Sequence, residues 1–371
     1  MATSIPNTWA RWFVERRSSN NDERKIVKMG MKYLIRILCL AFLVSSCCKN
    51  MEEGADVPLF RNDMQVIVVF PPAGLGDLTK EALIYQGAFI ATDSLGLSFC
   101  PIFPSSFKDG VETLVQLVKS DVVGRKRLII AADYEYSAYL RRAAEEGDVV
   151  DSDSTKLLVL DGDFTHPDIY TAYVPFYGTM YKAGYVASKM TDVESVKIYI
   201  ANSKYRYIRE GKEGFIDGFN QNKEGYFDVY DFSTINEDDT EGFYKSTLAY
   251  IYDAPECSGL YDMVLPLCGE TVMGFLRYSR EYPGCFYTVG VTADMSAYSS
   301  DVPFSCVEHL DRVVVSCIAD WSKERLAHHR TFGMDEGWVE LVIPESYSSM
   351  LQPVAEEIHA QAIKLEGRYE K

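Results

Sequence analysis

From Gln65 onward the apolar residues gather into two alternating kinds of segment. Short unbroken runs at 66–70 (Val-Ile-Val-Val-Phe), 128–132 (Leu-Ile-Ile-Ala-Ala) and 157–160 (Leu-Leu-Val-Leu) have the length and composition of strands buried on both faces. Between them lie longer stretches in which apolar residues return every three or four positions, the spacing of one helix face. The pattern predicts strands at 66–70, 97–103, 128–132 and 157–160, with helices at 79–95, 110–119 and 136–146. It then restarts, with helices at 177–190, 209–220, 241–252 and 273–281 alternating with strands at 196–201, 226–232, 263–267 and 286–291. A strand at 304–307, a helix at 311–326, a strand at 339–343 and an amphipathic helix at about 347–365 follow. Strands alternating with helices imply right-handed crossovers and parallel sheets flanked by helices. The expected fold is therefore α/β, with two Rossmann-like lobes joined by a hinge that the chain crosses more than once. Residues 64–170 plus about 295–325 are assigned to lobe 1, residues 171–294 plus about 326–345 to lobe 2, and 346–371 to a C-terminal helix. Ligands of open parallel sheets bind beyond the carboxyl ends of strands, so the cleft between lobes is the expected site.

One earlier segment breaks this rhythm. In residues 31–47, Lys32 and Arg36 form a basic flank and Ile37 to Val44 are eight consecutive apolar residues. Eight residues make about 12 Å of helix against the roughly 30 Å of a bilayer core, so the run is too short to span. It fits the apolar region of a secretory signal. Val44-Ser45-Ser46-Cys47 resembles a bacterial lipobox, which implies lipidation (palmitate) of Cys47 and anchoring in the cell envelope, on the periplasmic or surface side. Residues 1–30 are read as a mis-assigned extension before a start at Met31, 31–46 as the lipoprotein signal peptide, and 47–63 as a tether.

Charge narrows the functions. A net charge of −17 argues against nucleic acid, whose phosphates demand clustered Lys and Arg. Residues 1–46 hold eight of the 37 bases and three of the 54 acids, which leaves the remainder at −22. Of nine cysteines, Cys39 leaves with the signal, Cys47 carries lipid and Cys48 lies beside it. The other six, Cys100, Cys257, Cys268, Cys285, Cys306 and Cys317, are even in number, but their pairing does not follow from sequence. Several sit in apolar runs and read as small core residues. Neither Cys/His spacing nor Asp161-Gly-Asp163, which reads as a strand-end turn, points to a metal, and no cofactor is expected. Serine-nucleophile, zinc-protease and P-loop signatures are missing, so an enzyme is not expected.

The segment from Phe70 to Gly87, Phe-Pro-Pro-Ala-Gly-Leu-Gly-Asp-Leu-Thr-Lys-Glu-Ala-Leu-Ile-Tyr-Gln-Gly, joins a strand to a helix through a glycine-rich turn. In order after it come Tyr181-Lys-Ala-Gly-Tyr-Val-Ala187, Gly214-Phe-Ile-Asp-Gly-Phe219, Cys268-Gly-Glu-Thr-Val-Met-Gly274 and Val289-Gly-Val-Thr-Ala-Asp294. Together they resemble the basic membrane lipoprotein family over roughly residues 64–345. Those are type I periplasmic binding proteins of ABC transporters, often for nucleosides. The resemblance implies a monomeric, lipid-anchored receptor that closes on a small polar ligand, nucleoside-like or altered, and presents it to a permease.

The candidate ligand residues are Gly76, Asp77, Thr79, Lys80, Tyr134, Phe176, Gly269, Thr292, Asp294 and Glu308. Glycines let backbone N–H groups approach a ligand closely, and Asp77 either caps the following helix or accepts from a sugar or base. Tyr134 and Phe176 are candidate stacking faces, whereas Tyr177, Tyr181 and Tyr185 at helical spacing read as a core stripe. Against the resembled family, Lys80 stands where a stacking aromatic is usual and Glu81 where Asn is usual. Thr292 replaces a ribose-binding Asp, although Asp294 is kept, and Glu308 replaces a Lys. Lys80 and Glu308 are suited to face one another as a salt bridge. Two functions are expected: an ABC-transporter solute-binding lipoprotein, or alternatively a sensor or interaction lipoprotein of the same fold.

Overall fold

Strand β1 (Arg61–Val69) shows why an unbroken apolar run is needed. Val66, Val68 and the following Phe70 join a layer containing Ile84, Ala88 and Ala91 of helix α1 (Lys80–Leu95). Ile67 and Val69 turn to the other face, to Leu114 of α2 (Phe107–Lys119) and Leu140 of α3 (Tyr136–Glu145). Each such side chain contributes roughly 1.5–3 kcal/mol by leaving water. This computed structural model describes residues 61–72, 74–76, 79–120, 124–201, 203–231, 261–269 and 272–369. Cys47 and the expected helix at 241–252 lie outside them, as do the proposed extension, signal and nearly all of the tether.

The first sheet continues with β2 (Leu97–Ile102), β3 (Lys126–Ala131), β4 (Thr155–Leu160), β5 (Tyr170–Tyr173) and a late strand, β12 (His329–Thr331). Its order is β12-β5-β4-β3-β1-β2, with every pair parallel. The second sheet holds β6 (Val193–Ile200), β7 (Tyr226–Asp231), β8 (Tyr261–Leu267) and β9 (Phe286–Thr288), parallel in the order β7-β6-β8-β9. A third, small sheet sets β10 (Gly290–Thr292) parallel to β11 (Ser305–Glu308), which pairs antiparallel with β13 (Val339–Val342). The helices after α3 are α4 (Tyr177–Ser188), α5 (Arg206–Asn220), α6 (Val272–Glu281), α7 (Leu310–Ser322) and α8 (Glu345–Tyr369). No helix among the described residues is long and apolar enough to cross a membrane.

The expected α/β fold with two sets of parallel strands is the observed one. The chain passes from β5 into α4, returns through β11 and α7 (which packs on α1) to β12, and passes again to β13 and α8, which packs on α4. Three boundaries differ from expectation. Thr171–Tyr173 and 326–345 are expected in lobe 2, but Tyr170–Tyr173 pairs with β4 and His329–Thr331 pairs with Thr171–Tyr173 at the edge of the first sheet. Strand β12 is too short and polar for a hydrophobic pattern to reveal it. The expected strand at 286–291 is two strands in two sheets. Val289 N donates to Val264 O, whereas Gly290 N donates to Phe304 O, so the backbone changes sheets between them.

Helices α4 and α5 meet backbone to backbone. A Cβ on Gly184 would lie 2.0 Å from Phe215 O, and one on Gly218 1.9 Å from Tyr181 O. On Gly214 it would lie 2.4 Å from Tyr177 O. The glycines of Tyr181–Ala187 and Gly214–Phe219 are thus a packing device. The tyrosine stripe is buried as expected, and its hydroxyls donate to Asp217 (2.7 Å), Gln221 (3.0 Å) and Glu357 (3.0 Å). Cys268, Cys306 and Cys317 are buried thiols, Cys100 is a half-buried one, and Cys285 is disulfide-bonded.

Candidate functional site

Helix α1 starts at the carboxyl end of β1, where Thr79 has extended backbone geometry and its Oγ1 accepts from Ala82 N at 3.3 Å. The cap is therefore Thr79, not Asp77, which lies outside the described residues. The Thr79 hydroxyl also donates to Gly76 O at 3.4 Å, which ties the glycine turn to the helix. Lys80 follows as the first helical residue, a position where a cation opposes the helix dipole. Two carboxylates offset this.

Lys80 Nζ donates to Asp161 Oδ2 at 2.8 Å and lies 3.5 Å from Glu308 Oε1, so the expected Lys80–Glu308 pair forms. The side chains are 13%, 4% and 0% exposed for Lys80, Asp161 and Glu308. The ammonium also sits 3.3 Å from the centroid of the Tyr207 ring and 5.7 Å from that of Tyr134. Tyr207 donates to Glu308 Oε2 at 2.9 Å and stacks on Phe176 with ring centroids 4.6 Å apart. Tyr134 stacks on Tyr207 at 5.9 Å and meets Tyr205 edge-on at 4.7 Å. These groups come from separate parts of the chain: the start of α1, the turns after β3 and β4, the crossing before α4, the start of α5 and the last residue of β11. Each lies at or just beyond the carboxyl end of a strand, the geometry of ligand sites in open α/β sheets.

Burial and charge set the protonation of this cluster. Burial pushes the Glu308 carboxyl up to about 7, because Lys80 and the Tyr207 hydroxyl only partly offset desolvation and the nearby Asp161 charge. Burial alone would lower Lys80, but Asp161 and Glu308 more than compensate and hold its ammonium above the ordinary lysine value. Burial and the adjacent Glu135 and Glu81 carboxylates likewise hold Asp133 well above the usual carboxylate range. The cleft therefore carries more acid than base.

Thr292, the last residue of β10, has φ +78° and is buried. A β-branched residue in this region is strained, by roughly 1–3 kcal/mol, and such strain collects at functional sites. Asp161 has φ +54°, which Asp tolerates better. Phe176 N donates to Glu210 Oε2 at 3.1 Å, and Arg206 Nε to Glu210 Oε1 at 2.7 Å, which brace the crossing strand against α5.

Of the candidate residues, Lys80, Tyr134, Phe176 and Glu308 come together, and the Thr292 side chain hydrogen-bonds Tyr207 of the same cluster. Gly76 and Thr79 shape the turn beside them. Asp294 is exposed and accepts from Ser296 N at 3.0 Å, a turn-forming role. Gly269 is exposed with φ +59°, a conformation that demands glycine whatever binds nearby. Tyr205, Tyr207 and Asp161 complete the cluster and are missing from the sequence-derived set. Asp161 is the expected strand-end turn, but it is also the counter-ion of Lys80. No group of metal-ligating side chains occurs among the described residues.

No family model and no curated protein matches the chain. Solved structures do. An ABC transporter solute-binding protein from Aeropyrum pernix K1 superposes with a TM-score of 0.61 at 16% identity, covering 83% of this chain and 90% of that one. The glucose-galactose binding protein GanP from Geobacillus stearothermophilus gives 0.54 at 13% identity, covering 76% and 98%. A transcriptional activator of the comK gene from Bacillus halodurans gives 0.55 at 16%, covering 80% and 97%. The fold is that of type I periplasmic binding proteins.

Proposed function

We propose that this protein binds a small polar solute between its lobes, without covalent chemistry, and delivers it to an ABC permease. The observation that carries the reading is the convergence of Lys80, Asp161, Glu308, Tyr134, Phe176 and Tyr207 beyond the strand ends of both large sheets. Aromatic faces beside buried acceptors suit a molecule that is rich in hydrogen-bond donors, and a ligand touching both lobes favours the closed arrangement by its extra contacts there. The likeness to a glucose-galactose binding protein supports a sugar-like size. Membership of the basic membrane lipoprotein family is proposed on the ordered motifs alone, and nucleoside recognition is disfavoured by the Lys80, Thr292 and Glu308 replacements.

Thermal unfolding and small-angle scattering with nucleosides, sugars, polyols and amines test this. A ligand that raises the melting temperature and compacts the particle supports it. Absence of compaction with every class favours the second reading, a sensor or interaction lipoprotein, for which the altered cleft and the likeness to a transcriptional activator speak. Anchoring through Cys47 in the cell envelope is part of the proposal. Cys47→Ala should release the protein from membranes, and unchanged fractionation would overturn it.

A further inference from the structure

We infer that the place held by the Lys80 ammonium is the recognition site for an ammonium group of the ligand, so that the solute bound here is a protonated amine. The inference rests on the reading of this cleft as the solute site. Two carboxylates and two aromatic rings converge on Nζ, with Asp161 at 2.8 Å, Glu308 at 3.5 Å, and the Tyr207 and Tyr134 centroids at 3.3 and 5.7 Å. Ring faces attract cations and carboxylates accept charge-assisted hydrogen bonds, so the combination selects a cation over an anion.

The cage holds more acceptors than Lys80 uses. Asp161 Oδ1 is buried and meets no hydrogen-bond donor among the described residues, and Glu308 Oε1 is met only by the Lys80 ammonium, at a long 3.5 Å. A buried acceptor left without a donor is destabilising, and a second or better-placed donor cancels that penalty. Lys80 itself is suited to leave. It reaches the cage from the first residue of α1 on a flexible stem, and the Asp133 carboxylate also acts on its charge. Exchange of one ammonium for another preserves the charge balance of the cage. A neutral solute that displaced Lys80 would leave the buried Asp161 carboxylate without its counter-charge, which is strongly unfavourable. Lys80 thus acts as an internal stand-in for the ligand and as a filter against neutral molecules.

Calorimetric titration of the full chain with D-glucosamine, ethanolamine and putrescine, beside neutral D-glucose, tests this. The wild type should bind at least one of the amines and not glucose. Lys80→Ala, which empties the cage, should bind that amine about tenfold more tightly, because the ligand no longer competes with a tethered ammonium. Asp161→Asn, a milder change, should weaken amine binding about tenfold. The inference is overturned if glucose binds the wild type and is lost in Lys80→Ala, which would make Lys80 a ligand donor and leave the solute-binding reading intact. It is equally overturned if amines bind Asp161→Asn as well as wild type. If neither amines nor neutral solutes bind or compact any of these proteins, the solute-binding reading falls with it.

Discussion

The α4/α5 interface and the Lys80 cluster lie side by side, yet they use opposite physics. At the first, Gly184, Gly214 and Gly218 remove side chains so that backbones touch, and the fit is purely steric. At the second, four polar or aromatic side chains are gathered around one ammonium, and electrostatics decides the arrangement. The glycines of Tyr181–Ala187 and Gly214–Phe219 report how helices pack, whereas the Lys80 cluster is drawn from scattered positions that share no motif.

The largest effect is expected at the steric interface. Gly218→Val should prevent folding or cost more than about 4 kcal/mol, because even a Cβ would lie 1.9 Å from Tyr181 O; circular dichroism and denaturant unfolding measure it. A normally folded, equally stable variant would show that the two helices can separate freely. Next comes Lys80→Ala, for which loss of the counter-charge should cost about 3–5 kcal/mol at pH 8 in urea unfolding and less at pH 5. Protonation of Glu308 relieves the repulsion at the lower pH.

Glu308 itself sharpens the contrast through pH. Its folded carboxyl titrates at about 7 against 4.5 unfolded, so the native protein keeps a proton that the unfolded chain releases. This contribution to stability is full below about 4.5 and is lost as pH rises to about 7, by roughly 3 kcal/mol. Glu308→Gln should flatten that part of the stability–pH curve, and an unchanged slope would mean that another group titrates there. The smallest effect belongs to Thr292→Gly. Release of the φ +78° strain opposes both the entropy of the added glycine and the loss of the hydroxyl that hydrogen-bonds Tyr207, so stability should change by less than about 1 kcal/mol in thermal unfolding. A marked loss would show that the threonine side chain holds the cluster together.

Much of the fold could be read from the chain. Runs such as 128–132 and 157–160 have no place except the interior of a sheet, and the helix spacing between them required parallel crossovers. The site was legible in part. Lys80 and Glu308 stand out as a candidate pair of opposite charge, Tyr134 by its position after a strand and Phe176 by its place at the lobe crossing. Tyr207 carried a weaker signal, as an aromatic shortly after the 196–201 strand in a region where helix spacing dominates. Asp161 was hidden by its ordinary fate as a turn residue.

The sequence by itself determined the α/β class, the succession of elements and the chemistry on offer, because these depend on local periodicity and residue type. Tertiary structure alone decided that His329–Thr331 closes the edge of the first sheet, and that 286–291 divides between two sheets. It also decided that one ammonium would meet Asp161, Glu308 and Tyr207 across 81, 228 and 127 residues of chain. Contacts at such separations leave no periodic trace. They exist only when the ends of many strands are brought to one place, and there the low dielectric turns scattered charged residues into a single coupled group.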